Sequence, residues 1–225
     1  FNLAASLFDT GGYRRHSAAR RESANARFDI DLDDDAELTL VFNHLDVPKA
    51  QDPLGLTREQ ARQDPRQATA AAEQFNTRKT VRQDQAGAIY RQDFGGEHEL
   101  KLVGYAGQRQ VEQFLALPVG AQANPLNSGG VIDLESEYGG LDARWSWQGE
   151  LAGRPFEWTV GGSAERMRQH RRGYENFIGT ALGVRGALRR DERNQVENVD
   201  EFAQAWWQLA PRWSLLAGVR HSEVR

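Results

Sequence analysis

Residues 141–165 read LDARWSWQGELAGRPFEWTVGGSAE, and this stretch decides the fold class. Apolar and polar residues alternate in its first half, and the alternation resumes in the other parity after residues 152–155. A period of two is typical of a β-strand with one apolar and one polar face, and the Gly153 and Pro155 between the halves predict a hairpin. The predicted apolar side, which we expect to face outward, carries Leu141, Trp145, Trp147, Phe156, Trp158 and Val160, against Arg144, Gln148, Glu157 and Glu165 on the polar side.

The same period continues along the rest of the chain. We predict nine strands, at residues 1–10, 17–30, 37–47, 79–92, 98–110, 139–151, 156–170, 195–209 and 213–225. Short turns at 31–36, 93–97, 152–155 and 210–212 alternate with long connections at 11–16, 48–78, 111–138 and 171–194, and Thr57 is the predicted N-cap of a short helix in the second of these. In an up-and-down meander, every short turn then lies at one end of the sheet and every long connection at the other.

Composition narrows the class of protein further. The 225 residues are 27% charged with a mean hydropathy of -0.69, yet they include six Trp, five Tyr, ten Phe and 22 Gly, which a disordered chain would lack. A net charge of -4 argues against a nucleic-acid partner. The absence of cysteine excludes disulfides, Cys-ligated zinc and thiol nucleophiles. No apolar run approaches the roughly 20 residues of a membrane-spanning helix.

A membrane barrel accounts for both the loop pattern and the low hydropathy. Outer-membrane barrels have short periplasmic turns, long extracellular loops, an apolar exterior and a polar lumen. We therefore predict an all-β, antiparallel, up-and-down transmembrane β-barrel. The tryptophans are interpreted as lipid-facing or girdle residues; they are Trp145, Trp147, Trp158, Trp206, Trp207 and Trp213. A passive porin, an adhesin-like barrel and a soluble carbohydrate-binding β-protein remain alternatives.

Motifs for catalysis or metal binding are weak. The acidic cluster from Asp29 to Asp35 has no Gly at the sixth position of a calcium loop and Leu40 at the twelfth, so we interpret it as a solvated turn. The five histidines are scattered, and no nucleophile elbow or phosphate-binding Gly-rich loop is present. We expect neither an enzyme nor a bound metal or cofactor.

The last long connection is rich in arginine and is the candidate ligand site. Guanidinium groups form bidentate bonds with carboxylates, so an anionic ligand is the expected occupant. The candidate residues are Arg168, Arg171, Arg172, Tyr174, Arg189 and Arg190, with Arg14, Arg15, Arg78 and Arg109 as a second group near the same rim. The alternative is that these arginines contact lipopolysaccharide phosphates or pair with local acids such as Glu175, Asp191 and Glu192.

Several stretches carry a resemblance to a known family. They are residues 12–17 (GYRRHS), 52–57 (DPLGLT), 76–80 (NTRKT), 172–177 (RGYENF), 188–194 (LRRDERN) and 217–220 (AGVR). In this order, over nearly the whole chain, they resemble the barrel domain of TonB-dependent outer-membrane receptors. The likeness is greatest to the branch that takes up pyrroloquinoline quinone, and DPLGLT and LRRDERN are its most specific parts.

The resemblance implies a 22-stranded barrel with an N-terminal plug in the lumen, placed in the outer membrane of a Gram-negative bacterium. It also implies active import driven by the TonB complex, with pyrroloquinoline quinone or a ferric siderophore as ligand and outer-membrane lipid and lipopolysaccharide as surroundings. We interpret residues 1–225 as part of such a barrel, with the plug and the remaining strands outside the sequence, because the chain starts at Phe1 and its alternating pattern continues to the last residues.

Overall fold

Nine long strands follow one another across one antiparallel sheet in the order of the chain. The computed structural model describes residues 1–225. The strands are β1 (Asn2–Thr10), β2 (Ala19–Asp33), β3 (Ala36–Gln51), β4 (Arg78–Phe94), β5 (His98–Phe114), β6 (Val131–Glu150), β7 (Pro155–Tyr174), β10 (Leu188–Ala210) and β11 (Trp213–Val224), and a separate hairpin is formed by β8 (Phe177–Ile178) and β9 (Ala181–Leu182). The predicted nine-stranded, up-and-down antiparallel sheet is confirmed.

The connections alternate in length as predicted. Two to four residues link β2 to β3, β4 to β5, β6 to β7 and β10 to β11, whereas residues 11–18, 52–77, 115–130 and 175–187 form the long connections at the opposite end. Residues 52–77 hold helix α1 (Arg58–Gln63) and helix α2 (Ala70–Gln74). Thr57 is the N-cap of α1, as predicted, and forms a reciprocal capping box with Gln60. A short 3-10 helix (Val119–Ala123) lies in residues 115–130. None of the helices is long and apolar enough to cross a membrane.

Strands β6, β7 and β10 are longer than the sequence pattern indicated. The strand predicted at 139–151 begins at Val131, the one predicted at 156–170 continues to Tyr174, and the one predicted at 195–209 begins at Leu188. In the extensions of β7 and β10 both faces are largely polar, so no apolar alternation marks the backbone as extended. In the extension of β6 the alternation is inverted, because Ile132 and Leu134 lie on the inner face and acids lie on the outer face. The predicted long connections at 111–138 and 171–194 are therefore shorter than expected.

The register separates the sheet into two faces. Trp145 lies opposite Val160, and Trp147 lies opposite Trp158, so these apolar residues share one face, as predicted. Arg144 and Gln148 project from the other face together with Glu157 and Glu165, because successive residues of a strand alternate. We call the face with Trp158 the outer face and the face with Arg144 the inner face.

The apolar outer face of the sheet is exposed and polar residues of the inner face are buried, the reverse of what a soluble protein shows. On the outer face Leu141 is 70% exposed and Val160 is 41% exposed, whereas on the inner face Thr159 is 8% exposed and Asp200 is 4% exposed. Asp200 accepts hydrogen bonds from Asn198, Ser222 and Arg220. Such an arrangement is favourable when the outer face meets lipid and the inner face meets an aqueous lumen.

Neighbouring tryptophans of β10 face opposite ways. Trp207 lies opposite Phe156 and belongs to the outer face, but Trp206 lies opposite Glu157 on the inner face. The interpretation of all six tryptophans as lipid-facing is therefore wrong for Trp206, since consecutive residues in a strand cannot share a face.

The apolar belt of the outer face has the height of a bilayer core. On β7 it extends from Phe156 to Ala164. Nine residues at about 3.3 Å each, in a strand tilted by roughly 40°, span about 20 Å along the membrane normal, close to the ~25 Å band of outer-membrane barrels. Trp147 and Trp158 lie near the end of the belt at the short turns, where an aromatic girdle is expected, and Trp145, opposite Val160, lies nearer the middle of the belt.

A tyrosine ring covers a glycine on the inner face. The ring of Tyr138 lies over Gly107, where a Cβ atom would be 2.7 Å from the ring and 3.0 Å from the carbonyl oxygen of Asp84. The Tyr138 hydroxyl donates to Gln85 at 3.1 Å, which holds the ring across β5.

Substituting Gly107→Ala is therefore expected to lower the free energy of unfolding of the barrel by about 1–3 kcal/mol, the usual effect of overpacking. Urea titration of the full-length protein in lipid vesicles measures this. Gly104→Ala is the control, because its Cβ would meet only a flexible Leu141 methyl group at 3.2 Å. Equal stability of the two variants would contradict the packing argument.

Candidate functional site

The long connections at one end of the sheet are joined by a small polar core. Asn176 is fully buried and its side-chain amide donates to the carbonyl oxygen of Leu115 at 2.7 Å, while its Oδ1 accepts from Gln122 at 2.7 Å. Gln122 in turn accepts from the backbone N–H of Gly130 at 3.1 Å. These bonds fasten residues 175–187 to residues 115–130, so the surface above the sheet is ordered.

Asn176→Ala is expected to loosen this junction, because the substitution removes the acceptor of one Gln122 N–H and the donor to the carbonyl oxygen of Leu115, at about 1–3 kcal/mol each. Limited proteolysis of the full-length protein is expected to cleave within residues 115–130 and 175–187 faster than in wild type. Asn127→Ala is the control, since Asn127 accepts only from the nearby backbone N–H of Gly129. Unchanged cleavage of the Asn176 variant would show that the junction is dispensable.

Two arginines of the second candidate group are used to build the loops. The guanidinium of Arg14 donates to the carbonyl oxygens of Gln67, Leu54 and Pro53. Arg78 donates to the carbonyl oxygens of Asn76 and Gly183, and its guanidinium lies 3.5 Å from the ring centroid of Phe114. Arg15 is exposed, 3.9 Å from Glu73. Arg14 and Arg78 therefore already have partners within the loop structure.

None of the six principal candidates lies on a loop, which corrects the prediction for all of them except Arg168, already placed in a strand by the sequence. Arg168, Arg171, Arg172 and Tyr174 belong to β7, and the remaining two, Arg189 and Arg190, belong to β10. Their directions are consequently fixed by the alternation of the strands, which the sequence did not reveal.

Three of the six are on the outer face. In β7, Arg168 lies opposite Glu137, Arg172 opposite Asp133, and Tyr174 opposite Val131. Arg168 is exposed and forms no ion pair. Arg172 is bound by both Asp133, at 3.2 Å, and Glu135. The parity of the strand directs these side chains away from the inner face, and the prediction that they line a shared ligand site is not supported by their placement.

Arg185, from the connection after β9, completes this outer cluster. Its guanidinium lies 4.6 Å from the ring centroid of Tyr174 and forms ion pairs with Glu112 at 2.7 Å and Asp133 at 3.2 Å. Burial on its own lowers the pKa of the Arg185 guanidinium, but the hydrogen bond from Arg185 to Glu112 and the charges of both acids outweigh it, so the pKa is raised. Arg185 thus clamps residues 175–187 onto the ends of β5 and β6.

The inner face receives Arg171 and Arg190, together with Arg109 of the second group. Arg171 lies opposite Leu134 and Glu192, and Arg109 lies opposite Ser136. Arg190 is paired with Glu192 at 2.9 Å, whereas Arg171 and Arg109 form no ion pair. Strand β6 lies between Arg109 and Arg171, and the two residues are offset by two positions along the strand direction. Their Cα atoms are therefore about 12 Å apart. We call Arg109 and Arg171 the inner arginine pair.

The local acids account for several of the other charges, as the alternative interpretation proposed. Arg189 binds Glu175 at 3.3 Å and also donates to the carbonyl oxygen of Asn124. His170 and Asp191 are 2.6 Å apart. On the inner face of this region, Arg109 and Arg171 form no ion pair, because the acid opposite Arg171, Glu192, is paired with Arg190. The inner arginine pair is therefore the part of the structure best suited to bind an anion.

A family model described as "TonB dependent receptor-like, beta-barrel" matches residues 5–225. The chain belongs to this family. The inner face of this TonB-dependent receptor barrel is therefore the lumen wall, and the outer face is the lipid-facing wall.

Solved receptors share the fold over nearly the entire chain. They include the ferric citrate transporter FecA in its unliganded form (19% identity, TM-score 0.81), FpvA of P. aeruginosa bound to a heterologous pyoverdine (16%, 0.75) and the ferric-catecholate import receptor Fiu of K12 E. coli (11%, 0.72). Each match covers 99% of this chain but only 32%, 32% and 36% of the respective receptor. The chain thus spans about a third of the length of these receptors, and at such identities the likeness shows the fold alone.

Sequence reasoning missed the residues that organise the loop end. Gln122, Asn176 and Arg185 act through contacts between segments more than 50 residues apart. No period or motif links such positions in the sequence. Only the RGYENF stretch, which contains Asn176, carried a signal, and it was a family resemblance without an assigned role.

Proposed function

We propose that this TonB-dependent receptor imports a small anionic ligand across the outer membrane of a Gram-negative bacterium. The observation that carries the proposal is the inner arginine pair, two guanidinium groups on the lumen wall that form no ion pair; the acid opposite Arg171, Glu192, is paired with Arg190. A polycarboxylate bridging Arg109 and Arg171 would replace its lost hydration with charge-assisted hydrogen bonds. The adjacent Arg190 is held by Glu192 and adds a weaker attraction.

Pyrroloquinoline quinone is the first candidate ligand. It is a small tricarboxylate, and the stretches DPLGLT and LRRDERN resemble the receptors that take it up. The second stretch contains Arg190 and Glu192, which lie on the lumen wall in β10. The likeness and the charge of the wall support the same ligand by different arguments.

A ferric siderophore is the second candidate. The solved receptors with the same fold are described as transporting ferric citrate, as binding a pyoverdine, or as importing a ferric catecholate. Ferric complexes of such ligands also present several carboxylate or phenolate oxygens. The inner arginine pair suits them on charge alone.

Import by this class of receptor requires a plug in the lumen and energy from the TonB complex, and we include both in the proposal. The rival function is passive diffusion through a porin-like barrel. An uncoupler that collapses the proton-motive force is expected to abolish uptake in cells that carry the full-length protein. Uptake that persists after uncoupling would favour the passive channel.

Equilibrium binding to the purified full-length receptor tests the ligand. We expect micromolar or tighter binding of pyrroloquinoline quinone, measured by titration calorimetry, and no binding of a neutral sugar of similar size. Binding of ferric citrate or a ferric catecholate without binding of the quinone would replace the first candidate with the second. Failure of all three anions would refute the anionic-ligand proposal.

A further inference from the structure

The lumen wall carries a row of aliphatic side chains beside the inner arginine pair. Val47 of β3, Val81 of β4, Val111 of β5 and Leu134 of β6 lie opposite one another in successive strands, and all four project from the inner face. Val81 is 8% exposed and the other three are half-buried, so the row still presents apolar surface to the lumen. We call these four residues the apolar strip.

Lipid does not account for the apolar strip. On the outer face of β5 the belt ends at Ala106, where Gln108 follows, and Val111 is five residues beyond Ala106 on the opposite face. At about 3.3 Å per residue and a tilt of roughly 40°, Val111 lies about 13 Å above the end of the belt. The strip therefore faces the aqueous lumen between the bilayer and the long connections, where apolar surface is unfavourable until a partner covers it.

Three cations without an ion pair surround one end of the apolar strip. Arg171 lies opposite Leu134, and Arg109 is two residues from Val111 on the same face of β5. Lys79 is on the inner face of β4, two residues beyond the strip. With strands about 4.8 Å apart and about 3.3 Å per residue, the three Cα atoms form a triangle with sides of about 12, 14 and 16 Å that encloses Val111 and Leu134. No acidic residue projects from the inner face within this triangle.

We propose that the apolar strip holds the flat aromatic face of the imported anion, while Lys79, Arg109 and Arg171 bind carboxylates at its edges. This role of the strip rests on the proposed function and adds to it a ligand class, the planar aromatic polyanions, and a binding residue, Lys79. Carboxylates on the edge of a rigid ring reach the cations while the ring covers Val111 and Leu134, so charge and apolar contact are satisfied together. An aliphatic polycarboxylate would meet the same charges but leave the strip uncovered.

The experiment measures binding of two tricarboxylates to the full-length receptor by titration calorimetry. Pyrroloquinoline quinone has a flat aromatic body, whereas tricarballylate carries its three carboxylates on an aliphatic chain. We expect the quinone to bind the wild type roughly tenfold more tightly, or better. The double variant with Val111→Thr and Leu134→Thr keeps side chains that suit a strand and is expected to lose roughly 5- to 15-fold in affinity for the quinone, with tricarballylate affinity unchanged.

Matched controls come from the same lumen wall nearer the short turns. Ile89 and Val103 lie opposite each other on the inner face, eight residues from the strip along β4 and β5, so the double variant with Ile89→Thr and Val103→Thr should bind the quinone as the wild type does. Lys79→Gln should weaken binding of both tricarboxylates about fivefold. Lys101→Gln, which changes another inner-face lysine without an ion pair, should weaken neither.

Heat-modifiable mobility in gels checks that each variant is folded. Equal affinity of the wild type for the two tricarboxylates would overturn the role of the strip and leave the anionic-ligand proposal intact. Unchanged quinone affinity in the Val111 and Leu134 variant would assign the strip to packing of the sheet, and an equal loss in the Ile89 and Val103 variant would assign the effect to the wall in general; either result overturns the proposal. Binding of neither tricarboxylate would refute the proposed function and the role of the strip together.

Discussion

Replacing both Arg109 and Arg171 with alanine is expected to weaken binding of pyrroloquinoline quinone to the full-length receptor by roughly 10- to 100-fold. A hydrogen bond to a charged group contributes about 1.5–3 kcal/mol when sheltered, and exposure to solvent reduces this by half or more. Arg171 is half-buried and Arg109 is exposed, so about 0.7–1.4 kcal/mol for each is the reasonable range. Titration calorimetry at constant ionic strength measures the change.

Arg168→Ala is the matched control for this experiment. Arg168 is in the same strand as Arg171, only three residues away, and it also lacks an ion pair, but it projects from the outer face. We expect its loss to leave ligand affinity unchanged. A loss of affinity in the Arg168 variant equal to that in the double variant would mean that the ligand responds to total charge and not to the lumen wall.

The sequence predicted the membrane-embedded half of this molecule well because lipid favours apolar residues on the outer face of the strands there, with Glu201 as an exception. Trp145 and Trp158 had to share a face, since a shift by one residue would have moved Arg144 and Glu157 into lipid. The short turns followed from the interruptions of the same pattern. The predicted positions of the strands agreed with the structure wherever the outer face was apolar.

Beyond the belt this rule no longer applies, and for that reason the ends of β6, β7 and β10 were predicted wrongly. Near residue 170 both faces of β7 meet water or polar loops, so His170 and Arg171 are equally suited to either side. The extended backbone was therefore interpreted as a loop, and six residues from two faces and a loop junction were grouped into one site. The register of β6, β7 and β10 was the missing information.

The loop junction was out of reach for a different reason. Asn176 is held by Leu115 and Gln122, which are more than 50 residues earlier in the chain. Its burial depends on the fold of the entire end of the sheet. A polar residue of this kind has the local sequence pattern of an ordinary surface loop, and only tertiary contacts distinguish it.

Substituting Val160→Arg is expected to lower the free energy of unfolding in lipid vesicles by about 2–4 kcal/mol, the measured range for arginine near the bilayer midplane on the lipid face of a barrel. Val160 is the central residue of the belt on β7 and is 41% exposed on the outer face. Gln204→Arg is the control, because Gln204 lies opposite the neighbouring Thr159 at the same height but on the lumen wall, where arginine remains hydrated. Urea titration of both full-length variants in vesicles of one lipid composition gives the difference, which should exceed about 1.5 kcal/mol. An equal effect of the two substitutions would show that the two faces do not meet different solvents, and the assignment of the outer face to lipid would then be wrong.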